Sequence, residues 1–199
     1  VSTGLEGSSK DQAQLVTDMT YSGVIAVFLI YALIAIPLRS YIQPLLIMAV
    51  IPFATIGAVV GHIVMGVTIS MFSFFGLFAL AGVVVNDSLI MVDFINKARE
   101  CGVPARQAVI ESGTLRFRAI ILTSFTTAVG LMPILFEKSA QAQYVIPTAI
   151  SISFGIVFST VITLFLIPSL FMLQLDGFTR FRKITDWILN RPHEVSVAD

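Results

Sequence analysis

The sequence predicts an all-α integral membrane protein, a bundle of five transmembrane helices. Three observations carry that prediction. Of 199 residues, 56% are apolar and only 12% charged, with a mean hydropathy of +0.92; soluble domains carry roughly 25% charged residues. The charges avoid five long stretches, each close to the about 20 apolar residues that a helix rising about 1.5 Å per residue needs to cross about 30 Å of hydrocarbon. The basic residues collect on one side of these stretches, as they do in membrane proteins.

The same composition narrows the function. Twelve basic and twelve acidic side chains cancel, which leaves no overall field for holding a nucleic acid, and the hydropathy excludes a disordered polar segment. With one cysteine, Cys101, and two histidines, an internal disulfide, a redox pair and a Cys/His metal cluster are all out of reach. No cofactor and no resident metal are expected. The chain opens on Val1 and stays polar to Asp18, with neither a basic leader nor an apolar signal core. Residues 1–20 therefore read as the end of an aqueous domain and a linker.

The first span, 21–38, is uncharged and closes at Pro37 and Leu38, with Arg39 directly behind. The second, 44–65, has His62 as its one ionisable group and carries Gly57 and Gly61, at the four-residue spacing that lets two helices approach closely. A turn over 66–70 leads into the third span, 71–95, which contains Asn86, Asp87 and Asp93. Residues 104–112 read as a short cytoplasmic surface helix, with Pro104 at its first turn and Gly113 just past its end. The fourth span, 119–136, carries Thr123, Ser124, Thr126 and Thr127. The fifth, 144–173, places Pro147 and Pro168 near its ends, where a kink costs least. In the tail, 174–199, Phe178, Phe181, Ile184 and Ile188 recur at helical spacing and Trp187 suits the headgroup layer. For both flanking helices, anchoring at the interface is the simplest role.

Five spans put the two ends of the chain on opposite sides of the membrane. Ten of the twelve bases fall on one side: Arg39; Lys97, Arg99, Arg106, Arg116 and Arg118; Arg180, Arg182, Lys183 and Arg191. Only Lys10 and Lys138 fall on the other. The positive-inside rule then makes the N-terminal end extracytoplasmic and the C-terminus cytoplasmic.

A carboxylate in hydrocarbon costs about 2.5 to 3.5 kcal/mol on insertion scales, so Asp87 calls for a compensating function. It lies about 12 Å inside Ile95 by helical rise. Counted inward from Ala119, Thr127 is expected at a similar depth on the antiparallel fourth span. Thr123 and Thr127, one turn apart, would form a hydroxyl ladder able to pass protons or hold water. Asn86 and Asp93 share a face, and Asp93 precedes Lys97 at i, i+4 in the favourable order. An interfacial ion pair is thus the expected role of Asp93, ahead of transport. His62, near the extracytoplasmic end of its span, is expected to be a hydrogen-bonded structural residue rather than a proton carrier, although its ordinary pKa range would suit the latter.

Three segments in fixed order, Gly82-Val-Val-Val-Asn-Asp-Ser-Leu-Ile-Met-Val-Asp-Phe-Ile-Asn96, Arg116-Phe-Arg-Ala-Ile-Ile-Leu-Thr-Ser124 and Gly130-Leu-Met-Pro133, closely resemble the C-terminal membrane half of the resistance-nodulation-division (RND) efflux pumps. The resemblance runs from about Gly7 to Leu173 and is strongest to the branch that exports drugs and hydrophobic compounds. It implies that the five spans are the eighth to twelfth of a twelve-helix transporter and that the N-terminal stub ends its second large periplasmic domain. It further implies a secondary active proton antiporter rather than an enzyme, in the inner membrane of a Gram-negative bacterium. The implied partners are the missing N-terminal half, two further copies in a homotrimer, a periplasmic adaptor protein, an outer-membrane channel, the lipid bilayer and protons.

Drug-exporting members of this family relay protons through two aspartates on the fourth span, a lysine on the tenth and a threonine or serine on the eleventh. By resemblance Thr123 matches the last of these, and Asn86, with Asp87 beside it, stands at the lysine position. A neutral Asn neither gains nor loses a proton, so either Asp87 takes over the titrating role or the coupling differs in detail. Asp87, Asn86 and Thr123 are the relay candidates, with Asp93, Thr127 and Ser124 as secondary ones. The heavy-metal branch is a poorer match in the tenth-span motif. The alternative function is an accessory or structural membrane domain that assists movement of protein or lipid.

Overall fold

A computed structural model describes the main chain of residues 2–189 and the side chains of residues 14–177 except Asp176. Six helices follow one another: α1 (Ser2–Leu38), α2 (Gln43–Met48), α3 (Ile51–Met65), α4 (Met71–Glu100), α5 (Ala105–Leu135) and α6 (Ala142–Leu189). No strand occurs among the described residues. Five segments are long and apolar enough to cross a membrane: Gln14–Leu38, Gln43–Met65, Met71–Glu100, Ala105–Leu135 and Ala142–Leu175.

The helices differ from the sequence expectation at four places. First, α1 is continuous from Ser2, so the polar stub and the first span form one rod of about 55 Å by helical rise. Second, the segment 44–65 is not one helix but two. Pro52 lacks the N–H that would reach the Met48 carbonyl, and its ring crowds that carbonyl. The chain turns at Ala49 and Val50, and the N–H groups of Phe53 and Ala54 restart the ladder on the Val50 carbonyl at 3.0 and 3.1 Å.

Third, no break occurs at Gly113: the proposed surface helix and the fourth span are the single helix α5. A mid-helix glycine costs about 1 kcal/mol, and packing against α4 outweighs it. Ala108 and Val109 are buried there, and the Ser112 hydroxyl donates to the Met91 carbonyl at 3.2 Å. Fourth, α6 passes through Pro147 and Pro168 and continues beyond Leu173 to Leu189. The amphipathic tail pattern of Phe178, Phe181, Ile184, Trp187 and Ile188 lies on this continuation, and its side chains lie outside the described residues.

The core is built around α6, which packs against α3, α4 and α5, whereas α1 touches mainly α2 and α4. Ile156, Ile167 and Phe171 of α6 meet Leu80, Val84, Met91, Val92 and Ile95 of α4, with Ile47, Val50, Ala54 and Ala58 closing the other side. Between spans lipid is as apolar as leucine, so association depends on close contact and hydrogen bonds. Glycines provide the contact. A Cβ placed on Gly61 would lie 2.5 Å from the Phe154 Cβ, and one on Gly57 would meet the Phe158 Cβ and lie 3.1 Å from the Phe154 carbonyl oxygen. In the reverse direction Gly155 of α6 receives the Leu80 side chain, and a Cβ on Gly76 of α4 would lie 2.7 Å from both the Thr148 carbonyl oxygen and the Ser151 Cβ.

Candidate functional site: an uncovered polar face on α4 and α5

The periodicity of α4 sets the site. Leu80, Ala81, Val84, Val85, Ser88, Met91, Val92 and Ile95 are buried. The opposite stripe, Phe75, Ala79, Gly82, Asn86 and Ile90, is exposed, and Asp87 is half-buried at its edge. Asp87 sits about 20 Å from the nearer end of α4 and about 9 Å inside the exposed Asp93 of the Asp93–Lys97 pair, both by helical rise. Among the described residues neither Asn86 nor Asp87 has a hydrogen-bond or ion-pair partner, the one ion pair being Lys97 with Asp93. One turn away, a Cβ on Gly82 would meet nothing within 4 Å. No described residue covers the face.

The neighbouring helix fixes what lies level with Asp87. Ser112 bonds to Met91, and the Arg116 guanidinium lies 5.2 Å over the Phe94 ring. In this antiparallel register Asp87 is level with residues 116–123. Thr123 is at the edge of that window and Thr127 one turn beyond it, so the matching of Asp87 with Thr127 does not hold. Counting inward from Ala119 placed the fourth span's start too late, because α5 already packs on α4 at Ala108. Nor is there a hydroxyl ladder. Thr123 donates to the carbonyls of its own helix at Ala119 (3.1 Å) and Ile120 (2.9 Å). Thr127 donates to the main-chain carbonyl of Thr123 at 2.8 Å. Thr123 is exposed and keeps its oxygen lone pairs as acceptors.

The secondary candidates go elsewhere. Ser124 is buried between α5 and α6, its hydroxyl 2.6 Å from that of Thr160. Thr160 spends its single proton on the Ile156 carbonyl at 2.6 Å, so Ser124 donates and Thr160 accepts. Asp93 pairs with Lys97 at 2.7 Å, with 41% and 70% of their side chains exposed; such a pair contributes up to about 1 kcal/mol.

His62 is buried and bridges α3 to α4, its Nδ1 2.9 Å from the Ala58 carbonyl and its Nε2 2.8 Å from the Ser73 hydroxyl. A carbonyl only accepts, so Nδ1 carries the proton and Nε2 accepts from Ser73, whose oxygen accepts in turn from the Ser70 N–H at 3.0 Å. Both ring nitrogens are satisfied in the neutral state. Replacing His62 with Leu is expected to lower stability by about 1 to 3 kcal/mol, the cost of stranding a buried polar group, while transport per folded molecule is unchanged. A thermal melt of the solubilised transporter, paired with a flux assay, checks both halves.

Two features had weaker signals in the sequence. Gln43 and Asn96 exchange a pair of amide hydrogen bonds, 3.1 Å from Gln43 to Asn96 and 2.8 Å in return, tying α2 to the end of α4; two amides 53 positions apart carry no local pattern. The close approach at Gly155 carries a signal of its own, Ser151, Gly155 and Ser159 recurring every four residues, but the expectation of close packing rests on Gly57 and Gly61 alone.

Comparison with known proteins places this geometry. A family model, the AcrB/AcrD/AcrF family, matches residues 1–174. The multidrug resistance protein MdtC of Erwinia amylovora is 31% identical over 148 residues, covering 74% of this chain and 14% of that protein. A heavy metal efflux pump solved in two crystal forms is similar with TM-scores of 0.74 and 0.71, each at 27% identity. These matches cover 82% and 84% of this chain and 16% of the pump. The chain thus spans a small part of the length of the relatives it matches. It belongs to the AcrB/AcrD/AcrF family, the RND efflux transporters.

Proposed function

We propose that this chain is the C-terminal membrane part of a proton-driven RND exporter, and that Asp87, with Asn86 and Thr123, forms its side of the proton-coupling contact with the N-terminal half. One observation carries the reading: a carboxylate and a carboxamide at mid-span, without partners among the described residues, on a face that those residues leave open. Facing lipid, that pair would cost several kcal/mol; facing polar groups of another segment, it is compensated. Protonation of Asp87 removes a charge from the contact and changes how strongly the two faces attract or repel. The movement would travel along α1, which runs unbroken from the polar stub into the membrane.

In this reading the N-terminal end is periplasmic, the C-terminus is cytoplasmic, and the transporter works as a homotrimer with an adaptor and an outer-membrane channel. Drugs and other amphiphilic compounds are the proposed cargo, in line with the relative named for multidrug resistance. A second cargo, heavy-metal ions, is favoured by the solved pump of similar fold. Accumulation assays in cells with and without the intact transporter separate the cases. Lower drug content is the expected result, lower metal content alone supports the second cargo, and no change in either overturns export in favour of an accessory role.

A further inference from the structure

At the base-rich end of the bundle, a groove of about 590 Å³ opens between the α1–α2 turn and the last turns of α4. Arg39, Ser40, Lys97 and Arg99 line it, together with the acids Asp93 and Glu100. Three bases against two acids leave an excess positive charge. Asp93 is committed to Lys97 at 2.7 Å, and Arg99 lies 5.9 Å over the Phe171 ring of α6. Arg39 is exposed and has no hydrogen-bond or ion-pair partner among the described side chains.

Arg39 also holds a left-handed backbone conformation, φ +47°, which a residue with a Cβ adopts only where its surroundings impose it. Here the turn is imposed by the Arg39 N–H on the Ile36 carbonyl (3.3 Å) and by the Tyr31 hydroxyl donating to the Tyr41 carbonyl at 3.0 Å. Ser40 accepts from the N–H groups of Ile42 and Gln43, both at 3.4 Å, which leaves its own proton to donate outward. Beside the groove, the α1 surface is bare of packing: Leu33 is 68% and Ile36 74% exposed, and Tyr41 at the turn is 81% exposed.

From this arrangement we infer that the groove is a binding site for the headgroup of an anionic phospholipid. The Arg39 fork takes the phosphate in the bidentate manner that guanidinium favours, Ser40 donates a further hydrogen bond, and Lys97, paired with Asp93 through one of its three ammonium donors, offers the others. The acyl chains lie along Leu33 and Ile36, with Tyr41 at headgroup level, the usual place of interfacial tyrosine. Basic pockets between spans are a recurrent form of lipid-headgroup site. This site is independent of the proton-coupling face, which lies at mid-span on α4 and α5.

The test uses the intact transporter in nanodiscs of phosphatidylglycerol or phosphatidylcholine, with retained lipid counted by native mass spectrometry after release. Wild type is expected to retain phosphatidylglycerol over phosphatidylcholine, and the double variant R39Q/K97Q to lose that retention about tenfold, the scale of one phosphate contact pair. R39K, which keeps the charge, is expected to fall between them, and K138Q at the opposite end to behave as wild type. A melting temperature within the wild-type range shows that the variants are folded. Equal retention of the two lipids by wild type, unchanged retention in the folded double variant, or displacement of the lipid by millimolar inorganic phosphate would each overturn the proposal.

Discussion

Asp87→Asn in the intact transporter is expected to reduce export about tenfold or more, because among the described residues no other carboxylate sits at that level, and Arg116 and Arg118 in the facing window of α5 hold their protons permanently. The nearest bases on α4 are at its end, where Lys97 is held by Asp93, and the adjacent Asn86 cannot titrate. The substitution keeps volume and removes only charge and protonation, and Asp87 has no internal bond to lose. Protein level and melting temperature should therefore stay near wild type, and the loss is expected in transport alone. Asp87→Glu retains the titrating group and should restore part of the activity. Drug accumulation in cells expressing equal amounts of each variant provides the readout.

Gly61→Val is expected to act on the fold rather than on the coupling. Even a single added carbon would stand 2.5 Å from the Cβ and Cγ of Phe154, atoms too close to the α6 backbone to swing aside, so α3 and α6 must separate. Overpacking of this kind costs about 1 to 3 kcal/mol, and separation would also disturb the Gly57 contact one turn away and the His62 bridge to Ser73. A lower melting temperature and reduced membrane yield are expected. Gly82→Val, on the open face where nothing lies within 4 Å, should leave the stability of this bundle unaffected; if it destabilises the intact transporter, the reason is a partner segment pressed against that face.

The contrast between these two glycines shows what the sequence made legible. Hydropathy located five spans because about 20 apolar residues in a row have few alternatives. It could not see the kink at Pro52, since membrane helices often accommodate proline with no break, nor the persistence of α5 through Gly113, which depends on burial of Ala108 and Val109 against α4. Asp87 was legible because an acid in hydrocarbon is costly wherever it points. Its level relative to Thr123 and Thr127 was not, because that depends on where the antiparallel helices start to pack, and a helix count from an assumed boundary shifts by a turn. The inward direction of Ser124 and the outward direction of Thr123, neighbours in sequence, follow from Thr160 on α6, a partner 36 residues away. The groove around Arg39 needed the turn geometry as well as the charges.

The central claim is that protons pass through the face at Asp87 when cargo moves. The most direct measurement is substrate-dependent proton flux in proteoliposomes containing the intact transporter, with a pH-sensitive dye trapped inside and an imposed pH gradient. Wild type is predicted to dissipate the gradient faster when cargo is added, Asp87→Asn to show no cargo-dependent increase, and Asp87→Glu to recover part of it. A cargo-dependent proton flux in Asp87→Asn equal to that of wild type would contradict the account.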